Sequence, residues 1–138
     1  MLWCHLAICA VVIVASDLRL HKIRRRDILL SVATFLPLVS MSALVHALAN
    51  YSFFRLLHWI TSRAIGYGDV RLSFVIGLYS GSFFSSVQAL AIINIYTWLS
   101  SGIYVLVKVS WDRTSTKSRI PFAPFMFLGL VIALMTAR

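Results

Sequence analysis

The sequence contains no glutamate, and its acidic residues are four aspartates, against 13 lysines and arginines. Charged residues make up only 12% of the 138 positions, whereas a soluble globular chain has about one quarter. Hydrophobic residues make up 60%, and the mean hydropathy is +0.88. This composition excludes an ordinary soluble domain and indicates an integral membrane protein.

Cysteine is also scarce. Cys4 and Cys9 lie in one apolar stretch, and the sequence has no Cys-x-x-Cys pair. Five helical residues separate the two thiols by about 7.5 Å of rise, so a disulfide within one helix is not expected. The sequence therefore predicts no zinc site, and no other metal or cofactor is expected.

Long apolar runs without interruption predict helices, because a membrane-spanning barrel would show weak alternation instead. The fold class is therefore all-α, a polytopic membrane protein with six transmembrane helices in a single domain, 1–138. The predicted segments are Leu2–Ser16, Ile28–Leu48, Tyr51–Ala64, Val70–Ser85, Val87–Val107 and Pro121–Ala137.

The third segment is short and carries Arg55 and His58. Whether it crosses the membrane can be judged from how the lysines and arginines would then be distributed between the two sides. If it spans, eleven of the 13 cationic residues face the cytoplasm: Arg19, Lys22, Arg24, Arg25, Arg26, Arg63, Arg71, Lys108, Arg113, Lys117 and Arg119. If it does not span, the cations divide almost evenly between the two sides. Positive charge gathers on the cytoplasmic side, so six spans in the cell membrane with the N-terminus outside are predicted. The net charge of +9 then faces anionic lipid, and no nucleic-acid partner is expected.

Two aspartates flank apolar segments. Asp17 follows the first segment, which alone makes a helix of about 22 Å, shorter than a hydrocarbon core of about 30 Å. The helix must therefore continue to the cytoplasmic edge, and two further crossings return the chain to Asp69 at the same edge. Two carboxyl groups in a partly dry site share one proton. They provide a general base for water and a general acid for the leaving amine, as in an aspartic protease.

Gly66 and Gly68 stand just before Asp69 in the stretch RAIGYGDVRL. Glycine adopts backbone conformations closed to other residues, so the pair is expected to unwind the helix start and admit a substrate backbone. A dinucleotide-binding fingerprint is excluded, because Arg71 stands where its third glycine would be.

Three stretches resemble the type IV prepilin peptidases, a family of membrane aspartic proteases. GYGDVRL (66–72) resembles their GxGD motif in its GxGDxKL form, and SDLRLHKI (16–23) resembles their first aspartate box. IPFAPFMFLG (120–129) resembles the entry to their last span. The three occur in the family's order across nearly the whole chain.

The resemblance implies an endopeptidase that removes the short basic leader of type IV pilin-like precursors at the cytoplasmic face. It implies that Asp17 and Asp69 are the catalytic pair and that Gly66 and Gly68 form the active-site loop. The precursor's apolar helix, more than the charge of the loops, is expected to govern binding.

The sequence departs from the family at two places. Family members commonly have Ile-Pro-Asn after the first box, where this chain has Arg24 and Arg25 after Ile23. The cysteine-bearing extension of longer, bifunctional members does not precede the first segment. The sequence is therefore expected to resemble the compact peptidases without N-methyltransferase activity.

For several other polar residues the sequence leaves more than one interpretation open. Arg55 either reaches the outer interface or faces the bundle interior, and His58 is expected to pack rather than bind a metal. Arg71 either keeps Asp69 ionised or faces lipid headgroups. Asn94 either bonds across helices or lines a cavity.

The remaining assignments are structural. Asp27 is expected to cap the second helix, and Asp112 to pair with cations in its loop. Gly77 and Gly81 predict close helix packing. The alternative for the whole chain is a non-catalytic membrane protein, a small transporter or pilus-assembly subunit, whose aspartates relay protons or hold helices together.

Overall fold

The computed structural model describes residues 1–20, 23–61, 65–111 and 121–136, and within these ranges it is entirely helical, without a strand. The all-α prediction is confirmed. The elements are α1 (Leu2–Leu20), α2 (Arg25–Phe35), a 3₁₀ turn (Leu36–Leu38), α3 (Met41–Ile60), α4 (Tyr67–Phe83), α5 (Gln88–Trp111) and α6 (Ala123–Thr136).

Successive helices alternate in direction. Trp3, at the start of α1, packs against Phe83 at the end of α4, with ring centroids 4.8 Å apart. Tyr104 near the end of α5 packs in the same way against Phe125 at the start of α6, at 5.3 Å. The ends of α1, α3 and α5 therefore lie beside the starts of α2, α4 and α6. We call this side of the bundle the aspartate end, because both Asp17 and Asp69 lie there.

The predicted boundary between the second and third segments is wrong. The sequence was divided near Asn50, but α3 runs unbroken through this position, and the chain turns instead at residues 36–40. Pro37 lies in the 3₁₀ turn, and the Ser40 hydroxyl caps α3 by accepting a hydrogen bond from the Ala43 amide at 3.1 Å. Proline and a serine cap are ordinary helix boundaries, whereas one asparagine does not end a helix.

The core is built around α4, which is buried along most of its length. Gly77 and Gly81 let it touch α3 backbone to backbone. A Cβ atom at Gly77 would lie 2.5 Å from the Cα atom of Ala47, and one at Gly81 would lie 2.5 Å from the Cα atom of Ala43. The close helix packing predicted from the GxxxG spacing is therefore confirmed, inside the bundle.

Among the described residues, two helices, α1 and α5, are long and apolar enough to cross a membrane. Both are largely exposed, unlike the core helix of a soluble protein, which would be mostly buried. Val11 on α1 is 68% exposed and Leu106 on α5 is 69% exposed. This outward apolar surface suggests membrane association.

Candidate active site

Asp17 lies in the last turns of α1 and is only 5% exposed. Its Oδ2 atom accepts a hydrogen bond of 3.0 Å from the backbone amide of Ala123, the first residue of α6. The first amides of a helix lack partners within the helix, and its N-terminus carries partial positive charge. Both effects favour the ionised form of the Asp17 carboxyl group.

Asp69 lies in the first turn of α4, just before the apolar segment that begins at Val70. Its backbone amide donates a 3.1 Å hydrogen bond to the carbonyl of Gly66. Burial raises the pKa of the Asp69 carboxyl above its ordinary value, the Asp17 charge raises it further, and the hydrogen bond to the Gly66 backbone lowers it. The two aspartates are thus electrically coupled, although they are distant in sequence.

The two glycines provide space and not an unusual backbone. Gly66 caps α4 with φ −63° and ψ 142°, an extended conformation that any residue can adopt. A Cβ atom at Gly66 would lie 3.0 Å from Oδ2 of Asp69, and one at Gly68 would lie 3.1 Å from Cβ of Ile23. Helix α4 therefore starts without unwinding, which differs from the expectation. Gly66 leaves room for the carboxyl group, and Gly68 lets the chain after α1 approach α4.

Side chains from α3 and α4 form a cluster around Tyr67 that no sequence pattern indicated. Arg55 donates a 2.7 Å hydrogen bond to the Tyr67 hydroxyl, and its guanidinium lies 5.3 Å from the ring centroid. The Arg71 guanidinium lies 4.9 Å from the same centroid. His58 Nδ1 donates to the carbonyl of Ile65 at 2.7 Å, and its ring meets Tyr67 edge-on. The cluster joins the end of α3 to the start of α4.

The cluster gives Arg55 and His58 defined partners. Arg55 lies at the aspartate end, where the Tyr67 hydroxyl accepts its hydrogen bond. His58 is held by a backbone carbonyl and an aromatic ring, as a packing residue. Beside them, an open groove of about 1070 Å³ is lined by residues that include Tyr51, Trp59 and Tyr67.

Polar groups also connect three helices midway along the bundle. Asn94 on α5 donates to Oδ1 of Asn50 on α3 at 3.0 Å, and Asn50 donates to the Ser73 carbonyl on α4 at 2.9 Å. Both asparagines also border a groove of about 720 Å³. Asn94 therefore has both of the roles considered for it: it bonds across helices, and it lines a cavity.

The structure describes one of the other two aspartates, Asp27. Asp27 is in the first turn of α2, whose capping residue is Arg24, so the prediction that Asp27 caps this helix is wrong. Asp112 lies outside the described residues. Across the part of the chain that the structure describes, no three His, Cys, Asp or Glu side chains gather as metal ligands would.

Comparison with known proteins adds no relative. The chain matches no protein-family model, no curated protein and no solved structure. The residues and their geometry therefore carry the functional argument.

Proposed function

We propose that the protein is a membrane-embedded aspartic endopeptidase that removes the leader of type IV pilin-like precursors at the cytoplasmic face. The observation that carries this proposal is the position of Asp17 and Asp69 at the same end of the bundle, where the Asp17 charge contributes to the raised pKa of Asp69. The three sequence stretches that resemble prepilin peptidases support the choice of substrate. Two of these stretches contain the aspartates, and the third supplies the Ala123 amide that holds Asp17.

The surroundings of the two carboxyl groups suggest which one holds the proton. Asp17 accepts an amide hydrogen at a helix N-terminus, which stabilises its negative charge. Asp69 is half-buried, and partial burial together with the Asp17 charge raises its pKa. We therefore assign Asp17 as the general base and Asp69 as the general acid.

The reaction follows from these roles. The Asp17 carboxylate removes a proton from water while the water oxygen bonds to the carbonyl carbon of the scissile peptide. The C–N bond then breaks, and Asp69 gives its proton to the leaving nitrogen. The proton now on Asp17 returns to Asp69, so the net change is addition of one water across the peptide bond.

The proposal includes six membrane crossings with the aspartate end in the cytoplasm. Helices α3 and α4, with 20 and 17 residues, give lengths of about 30 and 26 Å. Helix α2, with 11 residues, and the 3₁₀ turn that follows it together reach only about 22 Å. The bilayer must therefore thin near α2, or polar residues must enter it, as happens around short spans.

The groove beside Tyr67 bears on how a precursor would bind. Arg55 places its cation at this groove, and a basic leader would be repelled there. We therefore propose that the precursor's apolar helix, which follows the cleavage site, supplies the binding energy from the lipid side.

Cleavage of a pilin precursor by the purified protein in detergent tests the proposal. Asp17→Asn and Asp69→Asn should each abolish cleavage, because each removes one proton-transfer group from an otherwise similar side chain. Asp27→Asn is the matched control: it removes the same charge from the aspartate end and should cleave at the wild-type rate. An Asp17 or Asp69 variant with activity near wild type would end the assignment of the pair.

The hydrogen bond from Ala123 also supports a second candidate, in which Asp17 only holds α6 against α1 in a non-catalytic membrane protein. Asparagine caps helices about as well as aspartate does. Asp17→Asn should therefore preserve that structural role while removing a catalytic base. A stable Asp17→Asn variant without cleavage supports the peptidase, whereas a wild-type protein that cleaves no precursor favours the structural role.

A further inference from the structure

A third groove, of about 400 Å³, lies between α2, α3 and α4 on the outside of the bundle. Ligand sites commonly have volumes of about 300–1,000 Å³, so this groove can hold part of a small amphipathic molecule. Neither Asp17 nor Asp69 lines it.

The mouth of this groove is cationic. Arg25 begins α2 and Arg71 lies in the second turn of α4, and both line the groove at the aspartate end. Within the described residues, neither guanidinium forms an ion pair with a carboxylate, and the contact of Arg71 is with the Tyr67 ring. Two cations at one mouth favour a ligand with a doubly accepting anionic group, such as a phosphate.

The body of the groove is apolar. Ile28, Leu29 and Val32 of α2 form one wall. The other wall is formed by Leu48, Tyr51 and Phe74, of which only Tyr51 carries a polar group. From Arg25 to Val32 the helix rises about 10 Å, which is the depth of the headgroup and upper acyl region of one leaflet. Leu29 and Leu48 are more than half exposed, so the groove opens sideways towards lipid.

We propose that this groove binds one anionic phospholipid, with its phosphate between Arg25 and Arg71 and an acyl chain along the apolar walls. Charge complementarity and the order of the lining, cationic at the mouth and apolar along its length, fit a lipid of the cytoplasmic leaflet. This inference uses the membrane orientation of the proposed function but does not depend on peptidase activity. Lipid binding can therefore fail while cleavage persists, and the converse also holds.

Native mass spectrometry of the full chain in neutral detergent tests the site, with phosphatidylglycerol and phosphatidylcholine of identical acyl chains as probes. One phosphatidylglycerol should bind at least about tenfold more tightly than phosphatidylcholine, because each nearby cation contributes to anionic-lipid attraction. Equal binding of the two lipids, as for a groove that takes an apolar peptide helix, would overturn the proposal.

Matched variants separate a site from diffuse charge. Arg25→Gln with Arg71→Gln should weaken phosphatidylglycerol binding about tenfold or more. Arg24→Gln with Arg26→Gln removes two charges from the same end, outside the groove lining, and should change binding less than about twofold. Equal loss in both double variants would show that no defined site exists.

The apolar part has its own variants. Leu48→Trp should block the groove and weaken binding with all charges retained, whereas Leu44→Trp, outside the lining, should not. Glycerol phosphate, which lacks acyl chains, should not displace the lipid, and displacement at equal concentration would rule out the acyl-chain groove. Phosphatidylglycerol with a photoreactive acyl chain should label the wild-type protein on α2 and α4, and labelling elsewhere contradicts the site even if a variant fails to fold.

Discussion

The backbone amide of Ala123 donates a 3.0 Å hydrogen bond to Oδ2 of Asp17, and this contact joins the first turn of α6 to the end of α1. One carboxylate thus serves a helix terminus while its charge acts on Asp69. Stability at this end of the bundle and, under the proposed function, proton transfer therefore depend on the same side chain. Variants of Asp17 can separate the two contributions.

Asp17→Ala should destabilise the protein by about 1–3 kcal/mol, because a buried amide loses a charged acceptor. Asp17→Asn should cost clearly less, since its carbonyl oxygen still accepts the amide hydrogen. Thermal unfolding in detergent, followed by circular dichroism, measures the difference. Equal destabilisation by both substitutions would show that the hydrogen bond from Ala123 contributes little.

The raised pKa of Asp69 predicts a definite pH dependence. The folded protein holds this proton more tightly than the unfolded chain, so Asp69 stabilises the fold fully below its ordinary pKa of 3.8. That contribution is lost as the pH rises through the folded pKa. Cleavage should fall over the same rise, because the general acid loses its proton. A cleavage rate that increases through this range would contradict Asp69 as the acid.

Asp17→Asn should lower the pKa of Asp69 only part of the way to its ordinary value, because burial is the larger cause of the shift. The chain has four aspartates and no glutamate, so carboxyl resonances of ¹³C-labelled aspartate can be assigned by substitution. Asp27→Asn should leave the titration of Asp69 unchanged. If Asp17→Asn also leaves it unchanged, the two carboxyl groups are not coupled.

The contact between α3 and α4 can be tested with alanine. Gly81→Ala would place a Cβ atom 2.5 Å from the Cα atom of Ala43, so the two backbones must separate, at a cost of about 1–3 kcal/mol. Gly102→Ala is the control, because a Cβ atom there meets nothing within 4 Å. Being within α5, it should be neutral or stabilise the protein by up to about 1 kcal/mol. Thermal unfolding should show opposite or clearly unequal shifts for the two variants.

Tyr67 should fix the start of α4 mainly through its ring. Tyr67→Phe removes the hydrogen bond from Arg55 but retains the face that both guanidinium groups approach. Tyr67→Ala removes both interactions. Two cation–π contacts of about 0.5–1 kcal/mol each correspond to a roughly tenfold change in the equilibrium constant for local opening of the helix start. Amide hydrogen exchange at Asp69 and Val70 should therefore accelerate about tenfold in Tyr67→Ala and less in Tyr67→Phe. Equal acceleration would assign the effect to the hydroxyl group alone.

The sequence predicted the features that depend on composition and spacing. Apolar runs predicted an all-helical chain, and the Gly77 and Gly81 spacing predicted the close α3–α4 contact. The order of the apolar segments predicted that Asp17 and Asp69 lie at the same end of the bundle. These predictions succeeded because each depends on the spacing of residues along a helix or on whether an even or odd number of helices separates two positions.

Other features depend on tertiary contacts or on weak local patterns. Pro37 and Ser40 mark the turn at residues 36–40, but the apolar run continues through them, so hydropathy does not indicate this boundary. The Ala123 amide could not be predicted as a partner of Asp17. Almost every residue carries the same backbone amide, so the sequence does not show which one will donate to a given carboxylate. Arg55 could not be placed without Tyr67, which lies across an interhelical turn.

The glycine contacts make α3 and α4 a single rigid block, which carries Asp69. Helix α1, which carries Asp17, meets α4 through side chains instead, with His5 hydrogen-bonded to the Tyr79 hydroxyl at 2.6 Å. Spin labels on α1 and α4 should therefore show a broader distribution of distances than labels on α3 and α4. The separation of the two carboxyl groups thus depends on side-chain packing between α1 and α4, whereas backbone contact sets the position of α4 on α3.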